Sequence, residues 1–475
     1  MTVRALALSL CLLLVAAGCE KKADNSMHTA RLKTLLGATP QWVGTDPLAK
    51  KLWQVERTFY EHRGFTPAWV DGDRTTPQWK DLVQQLKYSE RHGLDPARYH
   101  VAEFEQLREQ SQSTTGGTRF PADRVPEMDA RMTFAYLQYA SDLLGWDENP
   151  KAIYANWIVP AKKDDLPARL EDAVSKGSVR DSLESLAPTH QQYKGLQAAL
   201  AQERQQPTGH ADQIRMNMER WRWAPHDLGD RYVLVNVPAY QMQVMEGGKP
   251  VLAMRIVVGK PDAPTPLFSD RMTYVVFSPY WNIPPDILKN EALPHVAKDP
   301  DWLRRNNMEV VGTKGDVVDA RAVDWSDEKA VSTVRIRQAP GPENALGLVK
   351  FIFPNNFNVY LHDTPMDKLF FKEHRALSHG CIRVEDPVGL AHYVMADRPE
   401  WTPERISTAM HASEEQAVTL KSPIPVHIGY WTAWVEPDGR TVTYLDDPYG
   451  IDMRQLQLVK EGRTTPLRPT TAPKP

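Results

Sequence analysis

Two hydrophobic periods divide this chain. From about residue 28 to about 227 apolar side chains recur at three- and four-residue spacing, which predicts helices. In MTFAYLQYASDLLG, Met132, Tyr136, Leu137, Tyr139, Ala140, Leu143 and Leu144 fall on one broad face, and Gly145 follows as a helix stop. These rings read as helix core. Near residue 228 the period shortens to two. Tyr232, Leu234 and Asn236 alternate with Val233, Val235 and Val237, and after an EGGK turn VLAMRIVVG completes a hairpin connected at Gly247-Gly248. MTYVVFSP, LVKFIF and FNVYLHD predict further strands. Pro284-Pro285 opens a short helix, and residues 301–347 alternate turns with short strands and read as a sizeable insertion. VHIGYWTAWVEPDGRTVTYL predicts a closing hairpin turned at Pro437-Asp438-Gly439. SQSTTGGTRFPADRVP (111–126) reads as an exposed loop.

The expectation is therefore an α+β chain. A helical domain spans 28–227, and a β-rich domain with its insertion spans 228–400. A helix-and-hairpin extension follows at 401–461, then a disordered tail at 462–475. Charge is nearly balanced, 57 basic against 60 acidic residues, without the basic excess of a nucleic-acid binder. Ahead of the helical domain, Arg4 precedes an apolar run from Ala5 to Ala17, too short to span a bilayer, which needs about 20 residues. The run ends in VAAGCE, which resembles a bacterial lipobox with Ala16 where leucine is usual. Residues 1–18 then read as a lipoprotein signal peptide, Cys19 as the lipidated residue and 19–27 as a tether. An ordinary cleaved secretory signal is the alternative. Glu20 is not the aspartate that retains such proteins at the inner membrane, so the expected location is the periplasm, anchored to the outer membrane.

That assignment isolates one thiol. Cys11 leaves with the signal, Cys19 carries lipid, and Cys381 remains unpaired in an oxidising compartment. It sits in LSHGCIRVED, sixteen residues after His362 comes Ser378, and His379, Gly380, Cys381 and Arg383 follow. An imidazole can take the thiol proton and hold positive charge beside a thiolate. Gly380 frees the backbone so that successive N–H groups can meet an oxyanion, and Arg383 can pair with a carboxylate. Bland alternatives stand beside each assignment. Cys381 could be an inert core residue. His362, His374 and His379 with Cys381 could hold zinc, although structural zinc favours tighter spacing. His374 is the rival base, Arg383 could pair with Glu385 or Asp386, and Tyr360 could simply pack. Tryptophans 221, 223, 281, 431 and 434 are core before they are ligand platforms.

The pattern H-x15-S-H-G-C-x-R resembles the L,D-transpeptidases of bacterial cell walls, with their YkuD-type catalytic domain. YEHRGFTPAWV, SERHGLDPARYH, NMERWRWAP, FSPYWNIPPDI and YWTAWVEPDG are similar to the larger, scaffold-bearing YcbB-like branch. The resemblance implies a helical scaffold domain and Cys381 as the acylated nucleophile. It makes His362 the general base, oriented by the carbonyl of Asp363. The N–H groups of Gly380 and Cys381 would form the oxyanion hole with help from Tyr360, and Ser378 and His379 would support the loop. Arg383 would face substrate carboxylates, and 282–347 would be a substrate-capping lid inserted in the catalytic domain, with Trp281 and Asn282 at its root. The implied substrates are peptidoglycan tetrapeptide stems as donor and acceptor, joined 3→3 through a cysteinyl thioester that needs no metal or cofactor. The implied inhibitors are carbapenems. A hydrolase acting through the same thioester, attachment of a protein amine to the wall, and a non-enzymatic wall-binding lipoprotein are the rival readings. Many relatives carry a peptidoglycan-binding module ahead of NMERWRW, for which this chain has no room.

Overall fold

A computed structural model describes residues 25–111, 120–146, 150–160 and 162–461. The signal segment, Cys19, most of the tether, the middle of the 111–126 loop and the tail lie outside the described residues. Within the expected tether, a helix already begins at Ser26 and runs to Leu35.

The helical domain is built around Val125–Leu143. The expected face of Met132, Tyr136, Leu137, Tyr139 and Ala140 is buried, but so is nearly all of the helix. Burial on all sides makes internal partners necessary for its polar residues, and Asp129 has several. Asp129 accepts the Tyr60 hydroxyl at 2.6 Å and the N–H groups of Ala68 and Trp69 at 2.8 and 2.7 Å. Gly145 ends the helix in the left-handed region, with φ 72°, and a Cβ there would lie 2.9 Å from Trp223 and 3.0 Å from the Arg222 carbonyl. Glycine is needed at this position for both reasons.

Nine strands build one sheet. We number them β1 (Arg231–Asn236), β2 (Gln241–Glu246), β3 (Lys249–Gly259), β4 (Phe268–Phe277), β5 (Val349–Ile352), β6 (Leu361–His362), β7 (Ala376–Ser378), β8 (Ile382–Val384) and β9 (Gln416–Gly429). Their order is β7-β3-β8-β6-β5-β4-β9-β1-β2. The long β3 also pairs with β2, so the sheet curls back on itself. The expected separate extension at 401–461 is not what forms. β9 lies inside the sheet, antiparallel to β4 and parallel to β1. Period-two reasoning saw its last residues but assigned them to the closing hairpin. That hairpin is shorter, Ala433–Val435 with Val442–Tyr444, and packs on the helical core through Trp431 and Trp434.

The helix Ala211–Trp223 joins the two cores. Trp221 belongs to the helical core and stacks on Trp431 at 4.3 Å, while Trp223 belongs to the sheet core. Between them the buried Arg220 reaches Asp452 at 2.6 Å, and Arg222 donates to the His92 carbonyl at 2.8 Å. The insertion has its own small core of Ile283, Ala292, Val296, Leu303, Val310 and Ile336. These residues lie under a four-stranded sheet that begins at Trp281–Asn282.

Candidate active site

Alternation along the strands decides which side chains meet. Leu361, Ile382 and Val384 point into the sheet core, as do Val349 and Phe351. Because successive side chains face opposite ways, Tyr360, His362, Cys381, Arg383 and Lys350 project from the other face. β6 and β8 pair in parallel, with Leu361 opposite Ile382 and His362 opposite Arg383. One step earlier the Ile382 N–H donates to the Tyr360 carbonyl at 3.1 Å, which sets Tyr360 beside Cys381. Lys350 completes the row on the other side of His362. His362 and the Cys381 thiol, nineteen residues apart in sequence, thus become diagonal neighbours on one face.

The nucleophile loop is a tight turn tied by Ser378. The buried Ser378 hydroxyl donates to the Cys381 carbonyl at 2.6 Å and accepts the Gly380 N–H at 3.1 Å. Gly380 has φ 111°, a conformation that side chains rarely adopt. This corrects one expectation: the Gly380 N–H is spent on Ser378 and is not an oxyanion donor. The Cys381 N–H has no partner among the described residues. The Tyr360 phenol lies against the thiol, and the thiol itself is only partly accessible. His379 does not brace the loop from within. Its Nε2 lies 2.7 Å from Glu291, so it joins the loop to the insertion.

His362 is 4% exposed, and its Nδ1 lies 2.6 Å from the Asp363 carbonyl. A carbonyl only accepts, so the ring proton sits on Nδ1 and leaves the Nε2 lone pair for a proton. The Asp363 carboxylate is itself fixed by the N–H groups of Leu348 and Thr364 at 2.8 and 2.7 Å. Burial, and then the Arg383 charge, pull His362 down to about 3. Burial pushes the Cys381 thiol up to about 11, against a smaller opposing pull from Tyr360 and Arg383. The resting pair is therefore neutral thiol and neutral imidazole, not the ion pair that the sequence suggested. For this thiol to attack a carbonyl, its proton would have to move to the His362 Nε2.

Arg383 has no carboxylate partner among the described residues. Glu385 pairs with Arg255, and Asp386 caps the helix Pro387–Met395. The guanidinium keeps its Nε buried and unpartnered and touches only Met366 Sδ at 3.6 Å. A half-buried cation without a carboxylate partner, on the same face as the thiol, is suited to an anionic ligand. Lys350 was missed, although a lysine within the apolar LVKFIF was a visible signal. It is tied to Glu415 at 3.2 Å. Trp281 and Asn282 pair with Gln338 and Arg337, and the Trp281 ring packs on the small core of the insertion, so neither is placed at the thiol. His374 is exposed ahead of β7. The zinc alternative requires His362, His374 and His379 to gather with Cys381. Among the described residues no three metal-ligating side chains converge.

Comparison with known proteins fits this arrangement. Residues 55–200 match a scaffold-domain family, and residues 230–424 match the L,D-transpeptidase catalytic domain known as YkuD. Over 448 residues the chain is 31% identical to a Haemophilus influenzae protein named "Putative L,D-transpeptidase", covering 92% of this chain and 86% of that one. Solved structures with lower likeness include an L,D-transpeptidase from Mycobacterium smegmatis, at 13% identity and TM-score 0.19, over 42% of this chain and 58% of that one. Another is L,D-transpeptidase 3 from Mycobacterium tuberculosis in complex with a faropenem-derived adduct, at 12% identity and TM-score 0.20, over 42% of this chain and 60% of that one. This chain spans less than two thirds of either structure. The assignment of family rests on the Haemophilus relative and the two domain matches.

Proposed function

Because the chain belongs to the L,D-transpeptidase family, with a scaffold domain ahead of its catalytic domain, we propose that it forms 3→3 cross-links between peptidoglycan stems through a thioester on Cys381. The observation that carries this reading is the shared face of Cys381, a neutral His362 anchored through Nδ1, and an unpaired Arg383. The thiol adds to the carbonyl of the third residue of a donor tetrapeptide while His362 takes its proton. The Cys381 N–H and the Tyr360 hydroxyl receive the oxyanion. Collapse expels the terminal D-alanine, whose amine takes the proton back from His362, and the thioester remains. The side-chain amine of an acceptor stem then attacks it, forms the new amide and returns the thiol. Each amide broken is replaced by one formed, so no cofactor enters the balance. The lid, docked to the nucleophile loop through Glu291 and His379, shields the thioester from water.

Incubation with purified disaccharide-tetrapeptide, read by mass spectrometry, tests the reading. A dimer lighter by one D-alanine is expected. Tripeptide alone would make the protein a hydrolase, and no product would leave a wall binder. The Arg383 charge is assigned to a donor carboxylate. Arg383→Met should lower kcat/KM roughly 10- to 100-fold for a donor with a free carboxylate, and much less for its amidated form. Equal losses for both donors would remove that role. The protein acts in the periplasm, held to the outer membrane by lipid on Cys19. Cys19→Ser should move it from the membrane to the soluble fraction, and unchanged partition would contradict the anchor.

A further inference from the structure

The turn between β3 and β4 lies outside the face that carries the thiol, yet it holds the nucleophile loop from behind. Thr265, at its centre, is fully buried, and all of its polar atoms are engaged. Its N–H donates to the Tyr449 phenol oxygen at 3.2 Å, and its carbonyl accepts the Tyr154 hydroxyl at 3.1 Å. Its own hydroxyl accepts the Gly259 N–H at 2.9 Å and lies 2.8 Å from the Gly380 carbonyl. An N–H can only donate, so the threonine proton is directed at Gly380. Tyr449 closes the ring of contacts by donating to the Gly259 carbonyl at 2.7 Å. The turn is also packed shut, because a Cβ on Gly259 would lie 2.3 Å from the Ala263 carbonyl.

We propose that Thr265 is a positioning residue for the oxyanion hole, acting through the Gly380–Cys381 peptide. That link is planar and trans, as are all the described peptides, so its carbonyl and its N–H point in opposite directions. Holding the Gly380 carbonyl toward the turn aims the Cys381 N–H away from it, toward the face where the thiol works. The Cys381 N–H is the backbone donor left over once Ser378 has taken the Gly380 N–H. The hydrogen-bond chain from Gly259 through Thr265 to Gly380 also polarises that peptide and strengthens its N–H as a donor. Tyr154, from within the helical domain, and Tyr449, from the C-terminal segment, fix Thr265 in turn. Two segments remote in sequence thus set the direction of one catalytic N–H.

The inference rests on Cys381 being the nucleophile of the proposed reaction, and its test separates the two. Two reactions of the same thiol are compared in wild type, Thr265→Val and Thr265→Ser. Acylation by a carbapenem passes through an oxyanion, whereas alkylation by iodoacetamide does not. Thr265→Val should slow acylation by roughly 10- to 100-fold and leave alkylation within about threefold, and Thr265→Ser should restore acylation. Tyr449→Phe, which keeps the threonine hydroxyl, should give a smaller loss in the same direction and serves if the valine variant does not fold. Unchanged acylation in Thr265→Val, equal losses in both reactions, or no rescue by serine would each overturn the proposal. A wild type that alkylates at Cys381 but is never acylated would instead sink the functional reading, and this inference with it.

Discussion

Exchanging His362 for alanine is expected to slow acylation of Cys381 by about 10²- to 10⁴-fold near neutral pH. The reason lies in the resting protonation. Burial pushes the thiol up to about 11, so thiolate is scarce near neutral pH and unaided attack is slow. His362 remains neutral down to about 3, and its Nδ1 bond to the Asp363 carbonyl holds the ring while Nε2 receives the proton. Lowering a base's pKa keeps it available as pH falls, so wild-type acylation should be nearly flat from about pH 5 to 9. The alanine variant should instead depend on the thiolate fraction and gain about tenfold per pH unit over the same range. Rates in both proteins as a function of pH check this. Parallel profiles would mean that the imidazole is not the base.

Replacing Cys381 by alanine should remove turnover altogether, to the rate of the uncatalysed background. Among the described residues no other cysteine is present, and the hydroxyl of Ser378 is committed to the Cys381 carbonyl. Ser378 therefore cannot take over the acyl group. Donor binding should survive, because Arg383 and the lid are untouched, and equilibrium binding of the tetrapeptide to the alanine variant measures that. Retained product formation would place the chemistry elsewhere.

Much of this site was legible because its signals are local. Ser378, Gly380, Cys381 and Arg383 occupy six residues, and the alternation of Tyr360, Leu361 and His362 already implied which of them share a face. The sharp turn at Gly380 and the change of period near residue 228 were equally readable. What escaped depends on contacts distant in sequence. Whether the Gly380 N–H is free turns on the rotamer of Ser378, and the Thr265 bond crosses 115 positions. β9 reads as the start of a hairpin until its pairing with β4 and β1 is known. Glu291 is one carboxylate among many until the lid docks on His379. The neutral resting pair is a consequence of burial, which no local pattern encodes.

The central claim is that the Cys381 sulfur becomes bonded to the acyl end of a wall peptide. The most direct measurement is acid-quenched incubation of the protein with stem tetrapeptide, followed by mass mapping of its own peptides. The fragment containing Cys381 should gain the mass of the tripeptide acyl group, and the added group should leave on treatment with hydroxylamine, as a thioester does. Cross-linked product accumulating with that fragment unmodified at every time point, or an adduct mapped to another residue, would contradict it.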